Sequence, residues 1–107
     1  MGISLLRGTT DTTLDSIRKG LEAYQADHPD AEIGYYRQNS VSVRIRIVDP
    51  SLRGLEREQR HAHFWKYFDE TSEEAQSDIT MLLLLAPDEV KRSFANVEFD
   101  DPVPSQL

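Results

Sequence analysis

Cysteine is absent from the 107 residues. That removes a disulfide framework, thiolate-ligated zinc, a cysteine nucleophile and an iron–sulfur cluster held by the chain's own thiolates. Histidine is scarce, with only His28, His61 and His63. Apolar stretches are short, and Met81-Leu82-Leu83-Leu84-Leu85 falls far below the roughly 18 residues that a membrane-spanning helix needs. Met1 to Leu6 offers too few apolar residues before Arg7 for a signal-peptide core, and Leu6 stands where a myristoylation signal has Ser or Thr. A cytoplasmic protein with no membrane role is the expectation. Positive charge is also in short supply, with 12 Lys and Arg against 19 Asp and Glu for a net charge of −7. Nucleic-acid affinity depends on neutralising phosphates, so RNA binding ranks last among the functions considered.

The 38% of apolar residues suffices for one core, since a domain of this size buries roughly two-thirds of the surface its unfolded chain exposes. Residues 1–10 show no periodicity and are expected to form a flexible arm. Thr12 with Asp15 has capping-box spacing, and Leu14, Ile17, Leu21 and Tyr24 then recur every three or four residues, which predicts a helix over 13–27. Gly20 weakens it slightly, and His28-Pro29-Asp30 ends it. From Ala31 the period changes to two. Ile33 and Tyr35 share a face, Arg37-Gln38-Asn39-Ser40 has turn composition, and Val41, Val43, Ile45 and Ile47 alternate with Ser42, Arg44 and Arg46. This predicts a hairpin with one apolar and one basic side.

Asp49-Pro50-Ser51 and Gly54 mark a break, followed by a helix over 55–69 with His61, Phe64, Trp65 and Phe68 on one stripe. Residues 70–77 are polar and read as a connection. Ile79 to Leu85 is apolar on both faces, as in a buried strand, and Pro87 suits the first position of a last helix over 87–95. The fold class expected is α+β, with a small mixed three-stranded sheet, helices on one face and the order α-β-β-α-β-α. A single domain over 11–95 is followed by an acidic mobile tail over 96–107, unless Val97 and Phe99 dock.

Leu52 precedes Gly54 by two positions, His61 follows that glycine by seven, and Arg60 stands before the histidine. Together with the preceding helix and hairpin, this spacing resembles the BolA family, whose corresponding helix carries Arg-His-Arg. Here the third position is Ala62. Ala86-Pro87-Asp88-Glu89 is similar to the family's Thr-Pro-Glu-Glu start of the last helix, and the resemblance covers about residues 14–90. It implies a KH-like class II fold and partnership with a monothiol glutaredoxin or another iron–sulfur protein. The family's cluster ligands, a histidine near the third strand and a His or Cys in the hairpin loop, have no counterpart near 79–85 or at Arg37-Gln38-Asn39-Ser40.

Two sets of residues stand out as candidate sites. Gly54, Arg60 and His61 would meet a protein partner, although His61 also reads as an amphipathic member of the core-facing stripe. Tyr36, Arg37, Arg44 and Arg46 would bind a small anion, although arginines on a sheet face more often pair with neighbouring carboxylates. The five glycines never fall three apart, so the GXXG loop with which KH domains clamp a nucleic-acid backbone is missing. The acidic clusters 70–74 and 98–101 lack EF-hand spacing. His61 and His63, two apart on a helix, point to different sides and do not form a metal site. No motif marks a catalytic nucleophile. A non-enzymatic interaction module without a cofactor, monomeric or weakly dimeric, is the resulting expectation.

Overall fold

The spacing of Leu14, Ile17, Leu21 and Tyr24 produces α1 (Thr12–Asp27) in the computed structural model, which describes residues 2–69 and 71–101. All four side chains are buried. Asp11, rather than Thr12, caps the helix by accepting from the Leu14 amide at 2.9 Å, which satisfies one of the unpaired donors of the first turn. The His28 amide closes the other end on the carbonyls of Tyr24 and Gln25, just before Pro29.

The hairpin forms as the alternation predicts, from β2 (Glu32–Asn39) and β3 (Ser42–Val48), with Ile33 opposite Ile47 and Tyr35 opposite Ile45. Its turn is tighter than the composition of residues 37–40 suggests. Asn39 Oδ1 accepts the Val41 amide at 2.9 Å, an Asx-type turn that leaves Arg37 inside the strand. After a 3₁₀ turn at Pro50–Leu52 comes α2 (Arg57–Trp65), continued by a 3₁₀ turn at Lys66–Phe68. The polar stretch expected to be a connection contains a helix, α3 (Glu73–Asp78), capped by Ser72 and anchored by buried Ala75. The strand β4 (Ile79–Leu85) has the predicted bounds and runs parallel to β3. A 3₁₀ turn (Pro87–Arg92) and α4 (Phe94–Asp100) replace the single last helix.

Among the described residues the sheet has four strands rather than three. Ile3–Leu5, expected to be part of a loose arm, forms β1 and pairs parallel to β2, so that the order is β1-β2-β3-β4. Backbone bonds of 2.9 Å from the Ile33 amide to the Gly2 carbonyl and from the Leu6 amide to the Tyr35 carbonyl hold it there. Three residues are too few to show a period, but their backbone groups satisfy the outer side of β2.

The core lies on one face of the sheet, where Leu14, Ile17 and Leu21 meet Ile33, Tyr35, Ile45, Ile47, Phe64, Phe68 and Leu84. The expectation that helices cover only that face fails at α4. Phe99 packs on Tyr36 with ring centroids 5.0 Å apart, its carbonyl accepts the Tyr36 hydroxyl at 2.7 Å, and both rings are buried. Alternation puts Tyr36 on the side opposite Tyr35, and a buried aromatic there needs a cover. Part of the expected mobile tail therefore docks, while residues 102–107 lie outside the described residues. Among the described residues, no helix is long and apolar enough to cross a membrane.

Candidate functional site: a groove along the sheet edge

β4 ends the sheet, and its outer side lines a groove of about 640 Å³, within the usual range of ligand-binding clefts. Leu82 to Leu85 form the floor. Leu55, Arg57, Arg60 and His61 wall one side, and Glu89, Arg92, Ser93 and Ala95 wall the other. The strand expected to be buried on both faces is covered fully only at Leu84; Leu82, Leu83 and Leu85 keep partial exposure. An edge strand has a neighbour on one side only, and an apolar run in the sequence does not reveal which strand occupies the edge.

Arg60 is the most constrained group of the groove. Its Nη1 and Nη2 meet the two carboxylate oxygens of Glu89 at 2.5 and 2.9 Å, Nε donates to the Leu55 carbonyl at 3.0 Å, and Nη1 also donates to the Leu84 carbonyl at 2.9 Å. Such bidentate, charge-assisted pairs fix geometry as well as contributing energy. The Arg60 guanidinium, helped by the Ala86 amide, holds the Glu89 carboxyl at a pKa of about 2 against the opposing effect of burial. Arg60 thus fastens α2 to β4 and to the turn after it. His61 is half-buried on the same wall, and burial first, then the nearby Arg57 charge, lower its pKa and favour the neutral ring.

Of the three residues expected to meet a partner, the groove gathers Arg60 and His61 but not Gly54. Gly54 is exposed, with φ of +82°, a left-handed backbone that lets the chain reverse between the 3₁₀ turn and α2. The proposed anion cluster divides in two. Tyr36, Arg44 and Arg46 lie beneath α4, whose Glu98 and Asp100 sit 3.6 Å from Arg44 and 2.6 Å from Arg46, and Arg46 stacks over Phe99 at 4.7 Å. Arg37 takes the opposite face, where it binds Asp11 at 2.9 Å and lies 3.6 Å from Asp78. The pairing of sheet arginines with carboxylates therefore describes all three arginines. Among the described residues, no three His, Asp or Glu side chains gather in a way that could hold a metal.

One polar cluster has no signal in the sequence beyond the composition of a turn. Asp49 is 2% exposed; its Oδ2 accepts the Tyr24 hydroxyl at 2.7 Å and lies 3.2 Å from His28 Nδ1, and its Oδ1 accepts the Ser51 amide at 2.9 Å. Burial, reinforced by Asp49, drives the Tyr24 phenol far above its usual pKa, so it stays a donor. Ser51 Oγ also lies 3.2 Å from His28 Nδ1. A serine relay needs the two imidazole nitrogens to face Asp and Ser separately; here both partners address the same nitrogen, and the cluster is a structural clasp. Comparison with protein-family models, curated proteins and solved structures returns no match.

Proposed function

We propose that the protein is a non-enzymatic interaction module that receives a segment of a protein partner in the groove beside β4, with His61 on its wall and Arg60 fixing its end. The observation that carries this reading is the coincidence of an apolar, open-sided groove with the helix bearing the Arg60-His61 pair. The order helix, hairpin, two helices, strand over residues 12–85, with β3 and β4 parallel, supports a BolA-like, KH-like class II core to which β1 and α4 are additions. A monothiol glutaredoxin or another iron–sulfur protein, met in the cytoplasm, is the partner class that follows from the resemblance. The small-anion reading has less support, because the carboxylates of α4 already engage Arg44 and Arg46.

The test compares affinity capture by tagged wild type and His61→Ala, after near-ultraviolet circular dichroism has shown both to be folded. Captured proteins are identified by mass spectrometry and rebound in purified form. A partner whose purified form binds His61→Ala at least tenfold more weakly, a difference of about 1.4 kcal/mol, supports the reading. Equal binding by the two would remove His61 from the interaction and overturn the reading as stated.

A further inference from the structure

We infer that the groove works by strand addition: an extended segment carrying apolar side chains and carboxylates pairs with the outer edge of β4. This rests on the groove being the partner site and specifies how, and with what chemistry, the partner is held.

The backbone of β4 supplies the first argument. The Asp49 amide donates to the Leu85 carbonyl at 2.9 Å, so Leu85 turns its carbonyl toward β3. In a strand the N–H and C=O of one residue share a side and successive residues alternate, which directs those of Leu82 and Leu84 outward. The Leu84 carbonyl confirms the alternation by accepting Arg60 from the groove side. The Arg60–Glu89 pair therefore closes the downstream end of the edge. Upstream of it, the amide and carbonyl of Leu82 and the amide of Leu84 face the groove.

Proteins ordinarily blunt an edge strand with charge, proline or a covering element. Ile79-Thr80-Met81-Leu82-Leu83-Leu84-Leu85 contains neither charge nor proline. Cover exists above and below the strand, from α2 and from residues 87–95, but the groove between them stays open. Added strands take their affinity from main-chain bonds and their specificity from flanking pockets.

Charge decides the occupant. Among the described residues the groove is lined by Arg57, Arg60 and Arg92 against Glu89 alone, a local excess of two positive charges in a chain whose net charge is −7. Arg92 pairs with Asp88, which it shares with Arg53, and its charge also acts on Glu89. A second copy of β4 would bring seven residues without a carboxylate. An acidic, otherwise apolar segment satisfies both the peptide edge and the arginines.

The experiment titrates the full chain, observed by amide NMR, with three synthetic probes: the heptapeptide of alternating valine and glutamate, its lysine counterpart, and the glutamate peptide N-methylated at alternate residues. The expected result is a shift of the Leu82 and Leu84 amides by the glutamate peptide, with a Kd at least tenfold tighter than that of either other probe. Arg57→Glu with Arg92→Glu, both at exposed positions, should weaken it at least tenfold while leaving the fold intact. Binding that ignores N-methylation, prefers lysine, maps elsewhere or is absent at millimolar peptide overturns strand addition. So does a concentration-dependent dimer that moves the same amides without peptide. If a His61-dependent partner binds without moving Leu82 and Leu84, strand addition fails and the groove reading survives. If the peptide moves those amides while capture ignores His61, strand addition survives and the groove reading, as stated, fails.

Discussion

Gly20 lies in the middle of α1, where alanine is ordinarily worth about 0.5–1 kcal/mol more than glycine. In this protein Gly20→Ala should destabilise. A Cβ at that position would lie 2.6 Å from Phe68 Cε2 and 2.7 Å from Cζ, far inside the roughly 3.5–4.0 Å of a favourable carbon contact. The ring has nowhere to go: Phe68 is 1% exposed, stacks on Phe64 with centroids 4.5 Å apart and meets Trp65 edge-on at 6.0 Å. Forcing a methyl into a packed site costs about 1–3 kcal/mol. Setting the mid-range helix gain against the mid-range cost leaves a net loss of about 1 kcal/mol, or about 4–8 °C in Tm for a domain of this size. Thermal and urea unfolding read this directly. A double-mutant cycle with Phe68→Leu should return a coupling of about 1 kcal/mol, because the smaller side chain vacates the contested space. A Gly20→Ala protein as stable as wild type, or a cycle with no coupling, would refute the argument from the ring contact.

Two further outcomes follow from the pairs described above. Glu89 has its carboxyl held at about 2 instead of its usual 4.5, so its pairing stabilises the fold above about pH 4.5 and is lost as pH falls toward 2. With solvent screening of this partly exposed pair, wild type should lose about 1–2 kcal/mol more than Glu89→Gln across that interval, and parallel urea-midpoint curves for the two proteins would contradict this. Phe99→Ala removes the ring shared by Tyr36 and Arg46 and should cost about 3 kcal/mol. Amide exchange over residues 94–100 should then accelerate well beyond the rest of the fold; unchanged protection there would mean that α4 is held by something other than this ring.

The elements legible in the sequence are those whose burial imposes a period. Leu14, Ile17, Leu21 and Tyr24 declare α1, and Val43, Ile45 and Ile47 declare the core side of β3, because each presents one face to one core. β4 shows its length, bounded by Asp78 and Pro87, but not its place in the sheet. Edge and centre differ in what lies beside the backbone rather than in the side chains. β1 and α3 escape because three residues in one and a single buried alanine in the other carry no pattern. The arginine cluster fails on register: Arg37 follows Tyr36 by one position and so faces the other side from Arg44 and Arg46. At the groove, the Gly54 to His61 spacing finds the right helix, yet the partner that fixes Arg60 lies 29 residues further on, and no local rule connects them. The same distance problem hides Tyr24 and Asp49, which are 25 residues apart.

The parallel pairing of β1 with β2 also has a consequence in time. Residues 3–5 leave the ribosome well before residues 33–35, against which they lie, and α1 must form and turn back between them. Closing so long a loop is costly until the intervening helix and the hairpin supply contacts that offset it. The short strand made first therefore has nothing to pair with until the hairpin's first strand has emerged, and it joins a sheet that later residues begin. Until β1 docks, the outer side of β2 is itself a margin of the sheet, so the newly made hairpin exposes an edge that the finished fold pairs.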